Sequence, residues 1–264
     1  MKKIMVLVWT IIMIFTLTAC SLRFEVRNRK SNSSLSSENI DINKSIVFEG
    51  ESKIDIQIGY GKITLIGYEG NEVIVSGTTN ISDDKLTVVQ KGDTINIKDK
   101  SDHLIDLSRD NYYRLALEIK IPYSFNGDLN YEYGTGESEI KDIICNNLNI
   151  QGGTGELTID DIVFNKLDFS AGVGESNINL IRKCGDINIE GGVGEVDISL
   201  AEVGGNMVFE GGVGSAKIKI PENAPVYFNT TSGIGDTDIN AMTSSEKTYE
   251  FKLNVGIGEI RVHN

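Results

Sequence analysis

The chain is 264 residues long, carries 28 glycines against 3 prolines, and has a formal charge of −13. That acidic balance excludes nucleic-acid binding, which needs a basic footprint, and excludes electrostatic attraction to anionic lipid as the means of membrane attachment. With 40% of residues apolar and regularly patterned, collagen and low-complexity linkers are excluded too, so the glycines must hold defined places in an ordered fold.

The first element is a leader. Lys2 and Lys3 precede an apolar run from Ile4 to Phe15, and Leu17-Thr18-Ala19 leads to Cys20. A basic start, a short apolar centre and small residues before a cut make a secretory signal. The run is too short to cross a bilayer, which takes roughly 20 apolar residues. Leu17-Thr18-Ala19-Cys20 resembles the lipobox of bacterial lipoproteins. The resemblance implies a signal peptide over residues 1–19 and Cys20 as the mature N-terminus, carrying acyl chains, palmitate among them. An uncleaved N-terminal anchor, or an ordinary signal peptide with a chance cysteine, is the alternative. Two or more chains on one residue hold a protein stably at a membrane, so the expected location is extracytoplasmic, lipid-anchored to the bacterial cell membrane.

Residues 20–46 follow as the lipidated Cys20 and a Ser/Asn-rich tether, in which Ser31–Glu38 has almost no apolar content. Such a stretch buries too little surface to offset its ordering entropy. The domain proper then runs over residues 47–264. Its first part, 47–130, reads as short strands with loose phase: Ile54, Ile56 and Ile58; Ile63 and Leu65; Val73 and Val75; Leu86 and Val88; Ile95 and Ile97; and Leu115, Leu117, Ile119 and Ile121. Asp99–Tyr113 reads as a surface loop.

From 131 to 264 the pattern is a regular repeat. Gly-x-Gly recurs at Gly134 and Gly136, Gly153 and Gly155, Gly172 and Gly174, Gly192 and Gly194, Gly212 and Gly214, Gly233 and Gly235, and Gly256 and Gly258, in steps of 19 to 23 residues. An earlier copy is Gly59-Tyr60-Gly61. Six of the eight copies are followed by an acidic residue: Glu137, Glu156, Glu175, Glu195, Asp236 and Glu259. Apolar residues alternate on both sides of the motif, as in Leu167, Phe169, Ala171 and Val173 before it and Ser176, Ile178 and Leu180 after it. Period-two alternation means strands with one buried face. The odd step from Val173 to Ser176 breaks the alternation, as do those from Val193 to Val196 and from Val213 to Ala216, so two residues must leave the pleat there. Glycine permits the positive φ of such a bend.

The expected fold is all-β: a single-stranded parallel β-helix, or solenoid, with rungs of about 20 residues and two short strands per rung joined at the Gly-x-Gly corner. A β-sandwich also has short strands at short spacing but does not demand this repetition of motif and phase. The far end, Val262-His263-Asn264, reads as an uncapped edge.

Gly61-Lys62-Ile63-Thr64-Leu65-Ile66-Gly67-Tyr68-Glu69-Gly70-Asn71-Glu72-Val73-Ile74-Val75, Gly92-Asp93-Thr94-Ile95-Asn96-Ile97 and Leu117-Glu118-Ile119-Lys120-Ile121-Pro122 resemble the bacterial "putative adhesin" β-strand-repeat family, also called toastrack-like. The resemblance covers roughly 47–264. It implies a single-stranded parallel β-helix in an envelope protein, in some members beside envelope-stress sensing systems. It carries over no catalytic residue. The Glu after the motif departs from the small polar residues that many members carry.

In register, Glu137, Glu156, Glu175 and Glu195 form an outward acidic row. It reads as a solvated edge; the alternative is a Ca²⁺ site, since Ca²⁺ prefers oxygen ligands. Gly-x-Gly does not read as a nucleotide loop, because strands rather than helix N-termini follow it. His103 and His263 read as solvated, and Asp160-Asp161 as a turn. Cys145 and Cys184 fall two rungs apart, beyond the roughly 7 Å Cα separation a disulfide allows, so both are expected as free thiols in turns. Tyr131, Tyr133 and Phe228 fit the inward register; Tyr112 and Tyr113, beside the long loop, are candidates for a contact surface. No catalytic residue, metal or cofactor is assigned. The expected function is a non-enzymatic, adhesin-like binding or structural module of the cell surface. Its partners are the membrane, through Cys20, and a protein or glycan. An accessory domain in envelope-stress sensing and a glycan-active β-helix enzyme are the alternatives.

Overall fold

The computed structural model describes residues 39–80, 82–100 and 114–264. The segment read as a signal, Cys20, most of the stretch read as a tether, His103, Tyr112 and Tyr113 lie outside the described residues. Among the described residues, every regular element apart from a one-turn 3-10 helix at Asp83–Lys85 is a β-strand.

The repeats build the centre. Strand β7 (Asp128–Lys141) runs unbroken through Gly134-Thr135-Gly136. The next three repeats each give two strands, one ending before the motif and one starting at its central residue. They are β8 (Asn147–Gln151) and β9 (Thr154–Asp160), β10 (Lys166–Ser170) and β11 (Val173–Leu180), and β12 (Asp186–Glu190) and β13 (Val193–Leu200). β14 (Met207–Lys219), β15 (Val226–Asn240) and β16 (Tyr249–His263) again pass straight through their motifs. Every pairing among these strands is parallel and joins equivalent residues, as in Leu129↔Leu148, Leu148↔Leu167, Leu167↔Ile187 and Ile187↔Met207. Because β7 and β14 each contribute to the strands before and after the motif, the pairing closes a ring of eight: β7-β8-β10-β12-β14-β13-β11-β9 and back to β7.

The alternation explains the packing. Leu129, Leu148, Leu167, Ile187 and Met207 on one side, and Ile140, Ile159, Ile178, Ile198 and Ile218 on the other, fall in one buried core. Each such side chain contributes about 1.5–3 kcal/mol on leaving water. Tyr131 is buried, its Oη 2.7 Å from the Ser138 Oγ, and its ring stacks on Tyr133 at 5.5 Å. Phe228 is half-buried and Tyr227 exposed. Cys145 and Cys184 are unpaired thiols and both are buried. The Cys184 thiol donates to the Ile162 carbonyl at 3.0 Å.

The N-terminal end is built differently from the looser rungs expected over 47–130. β2 (Lys53–Tyr68) is the one full repeat there, in parallel register with β7 along both halves. Beyond it two short strands still pair parallel with β2, and each carries an antiparallel neighbour. β5 (Thr94–Asp99) pairs with the first half of β2 and carries β4 (Leu86–Lys91) antiparallel. β6 (Leu115–Pro122) pairs with the second half and carries β3 (Glu72–Thr79) antiparallel. Outermost is β1 (Ile40–Val47), antiparallel to β3 over its whole length. The stretch read as tether to residue 46 therefore ends by 39. The physical reason is the alternation of Ile40, Ile42 and Ile46, short but sufficient: Ile42 is buried and Ile46 packs on the core.

The C-terminal end inverts the chain order. β16 lies between β14 and β15, parallel to both. The edge strand is β15, not the C-terminal segment, which corrects the expectation of an open edge at Val262-His263-Asn264. The inward positions decide it. β16 presents Phe251, Leu253, Val255, Ile260 and Val262, all buried. In the same register β15 offers Thr230 opposite Leu253 and Thr237 opposite Ile260. Placing the apolar strand inside gains its burial; placing β15 inside would also bury the exposed Thr230 hydroxyl, which costs about 1–3 kcal/mol without a partner. Two of the three prolines, Pro221 and Pro225, lie in the connection that skips the position. Asn264 ties the joint: its side-chain amide donates to the Ile220 and Pro221 carbonyls and its oxygen accepts from the Met242 N–H.

Candidate functional site

The Gly-x-Gly rows align through the pairing. Gly136, Gly155, Gly174, Gly194 and Gly214 stack in that order, followed by Gly258 and then Gly235. These second glycines have φ between 135° and 148°. A side chain there would be strained, and a Cβ on Gly174 would also overlap the carbonyl oxygen of Gly155 beneath it. The first glycines, Gly134, Gly153, Gly172, Gly192, Gly212, Gly256 and Gly233, are equally crowded: a Cβ on Gly192 would overlap the carbonyl of Gly172. The motif lets the chain bend while successive backbones approach closely. Its glycines face backbone, not open space.

The central residue of the motif is where the structure departs from the sequence reading. Alternation placed Val173, Val193 and Val213 inward. They point outward, 52%, 51% and 47% exposed. The pleat is reset across the whole motif: Phe169 and Ser176 are buried, while Val173, Gly174 and Glu175 are all exposed. Ile257 and Ile234 continue the row at 49% and 73% exposure. Their register, Val173↔Val193, Val193↔Val213, Val213↔Ile257 and Ile257↔Ile234, makes a continuous apolar row on the surface. At the other end the row turns polar, with Thr154 and then Thr135.

Carboxylates flank this row. On one side Glu137, Glu156, Glu175 and Glu195 stack in register, followed by Ser215, Glu259 and Asp236. Lys62 pairs with Glu137 at 2.9 Å and the Arg261 Nε with Glu259 at 2.6 Å; Lys217 pairs with Glu195. The hydrogen bond Lys217 donates to Glu195, and then the charge of Asp197, hold the Lys217 ammonium above its usual value. On the other side are Glu190 and Glu210, adjacent in register and exposed. The four glutamates considered for Ca²⁺ form a line with one carboxylate about every 4.8 Å, which does not surround a point as the 6–8 oxygens of a calcium site do. Among the described residues no three His, Cys, Asp or Glu side chains converge as a metal site.

A further outward feature had a sequence signal that went unread: Asn and Asp recurring at the repeat spacing. Asn149 Nδ2 donates to Asn130 Oδ1 at 2.8 Å and Asn188 Nδ2 to Asp168 Oδ1 at 2.9 Å. Asn147 donates to Asp128 at 2.7 Å and Asn179 to Asp160 at 2.7 Å. Such amide ladders join stacked strands edge to edge. Behind the glycine rows lies a cavity of about 30 Å³, bordered by Tyr133, Ala171, Ser176, Gly191 and Phe209. It has room for water but is far below the ~300–1,000 Å³ of a small-molecule site. The chemistry the surface offers is apolar contact between a row of carboxylates, three of them paired to Lys62, Lys217 and Arg261, and the neighbouring pair Glu190 and Glu210. His263 lies exposed at the far end of β16, six residues beyond Ile257.

The described residues thus define an all-β repeat protein with parallel register and a glycine-rich motif row. The chain belongs to the Toastrack DUF4097 family, whose family model matches residues 118–256. The model of the N-terminal domain of toast_rack, DUF2154, matches residues 30–161. No curated protein matches the sequence. Similar solved structures include a "putative cell adhesion protein" from Clostridium sporogenes, 16% identical, covering 86% of this chain and 99% of its own, at a TM-score of 0.44. A "putative adhesin" from Bacteroides fragilis is 16% identical, covering 86% and 98%, at 0.46. One from Parabacteroides distasonis is 10% identical, covering 86% and 99%, at 0.45.

Proposed function

We propose that this chain is a non-enzymatic binding module of the bacterial envelope, held at the cell membrane through acyl chains on Cys20. In this reading residues 1–19 are the signal, 20–39 the tether, and 40–264 the binding domain. The eight-strand ring is then the two faces of a single-stranded parallel β-helix, meeting at the Gly-x-Gly corner. Register offsets equal to the sequence repeat among the central strands support that, as does the passage of β7 and β14 through both faces. The antiparallel strands beyond β2 cap one end.

The observation that carries the binding role is the exposed apolar row Val173, Val193, Val213, Ile257 and Ile234. Contiguous exposed apolar surface rimmed by polar groups marks an interaction site. Here it stands on stacked backbone that does not need to rearrange to present it. A shallow row beside a water-sized cavity suits a macromolecule better than a small substrate.

The test is photo-crosslinking on intact cells. The full chain carries a crosslinker at Val193 or at Asn149, and a Cys20→Ala version serves as the detached control. Expected is a covalent adduct with an envelope protein that needs Cys20. Release of soluble sugar from cell-wall material by the purified chain, with no adduct from either position, would sink the non-enzymatic reading.

A further inference from the structure

We infer that the corner row is the docking site for an amphipathic helix of a partner protein, one whose apolar stripe is bordered by lysine or arginine. This rests on the reading of the chain as a binding module and names the kind of partner.

The spacing selects a helix. Successive residues of the row are about 4.8 Å apart, so five span ~19 Å. A helix laid along the row advances about 5.4 Å per turn. Its apolar stripe therefore meets one side chain of the row at nearly every turn, and the mismatch accumulated over four steps is ~2.4 Å, less than a side-chain width. An extended strand laid the same way presents same-side residues only every ~6.8 Å and falls out of step after the second contact. The row also has a length. It is apolar from Val173 to Ile234 and turns to threonine at Thr154, which fits a helix contact of about four turns.

The flanks select the charge. Glu175 and Asp236 on one side, and Glu190 and Glu210 on the other, are exposed carboxylates beside the row. Glu195 and Glu259 are already paired to Lys217 and Arg261, which stand one column further out. A partner with basic residues at the edges of its stripe meets these carboxylates as its apolar face docks. A second copy of this chain would bring the same carboxylates against each other, and an anionic bilayer surface would be repelled by them. Electrostatic complementarity of this kind governs partner choice and association rate more than raw affinity.

The experiment uses the purified full chain and three synthetic peptides of about 18 residues, ~27 Å as helices. The first is a helix-patterned Leu/Lys peptide. The second is its Leu/Glu twin. The third has the composition of the first, rearranged to strict alternation. Binding is followed by fluorescence anisotropy at 0.15 M salt. The Leu/Lys helix is expected to bind, the Leu/Glu twin at least tenfold more weakly, and the alternating peptide also at least tenfold more weakly. The double change Val193→Ser, Val213→Ser is expected to weaken the first peptide at least tenfold with an unchanged thermal melt, since both side chains are exposed. Glu190→Lys with Glu210→Lys is expected to reverse the preference between the charge twins. Equal binding of the helical and alternating peptides, or affinity unchanged by the serine pair, would overturn the inference in favour of diffuse attraction to an acidic protein. In the cellular crosslinking, adducts from Asn149 but none from Val193 would overturn this docking site while leaving the binding-module reading intact.

Discussion

Leu253 and Thr230 lie opposite one another in the parallel register of β16 and β15. The leucine comes later in the chain, yet it is fully buried while the threonine is exposed. The chain passes over one position and returns to fill it with the more apolar strand. Leu253→Ala is therefore expected to cost about 2–5 kcal/mol, as for other large-to-small core changes. Thr230→Ala should stay within about 0.5 kcal/mol, the range of surface substitutions. Urea denaturation of the two variants measures both, and a larger loss at Thr230 would mean that β15 is the inner strand.

The two motif positions Gly174 and Val173 should separate sharply. Gly174→Ala meets both a φ of 137° and the carbonyl of Gly155, so a loss of about 2–4 kcal/mol is expected, well above the usual substitution. Val173→Ala removes only exposed surface and should be near neutral in stability. Thermal melts of the pair provide the check, and similar losses would contradict the outward orientation of Val173.

Stability should fall in alkali. Burial pushes the Cys145 thiol up to about 12 from an ordinary 9.0. The folded state then holds its proton more tightly than the unfolded chain. The stabilisation is complete below pH 9 and is lost as pH rises from about 9 towards 12, with a slope of at most ~1.4 kcal/mol per pH unit for this one group. Cys184, raised in the same direction by burial, adds to it. Denaturation curves at pH 8, 9 and 10 should show the decline in the native chain and a shallower one in Cys145→Ala. An identical pH dependence in both would remove the thiol as its source.

Neither inner thiol should react while the chain is folded. Cys145 and Cys184 are buried and unpaired, so a thiol reagent at neutral pH is expected to label them only after denaturation, with no reductant required. A denatured, unreduced sample in which both sites stay unlabelled would indicate a disulfide.

The Asn149–Asn130 contact should be measurable as a coupling. Both residues are half-buried and 2.8 Å apart through their amides. Asn149→Ala is expected to cost about 0.5–1.5 kcal/mol. A double-mutant cycle with Asn130→Ala should return a coupling of at least ~0.5 kcal/mol. Additive losses would mean that the ladder is only a surface pattern.

The features legible in the sequence are local and periodic. Alternation at Leu167 and Phe169, or at Ile178 and Leu180, fixes which side chains face the core, because successive strand residues point to opposite faces. The spacing of Gly134, Gly153, Gly172 and Gly192 fixes the register, because only glycine fits where those backbones stack. Both are properties of one segment repeated. The leader and Cys20 lie outside the described residues, so their reading rests on sequence alone. Tertiary structure decided the rest. Whether Val173 faces in or out depends on how the pleat is reset across four residues of a bend, and both outcomes satisfy the alternation on either side. The order of β15 and β16 depends on comparing two strands distant in the chain for one inner position, where Leu253 and Ile260 win over Thr230 and Thr237 by the burial of apolar surface. The antiparallel cap depends on the same kind of choice, since β1 finds its partner in β3 through contacts between segments that no single window of sequence contains.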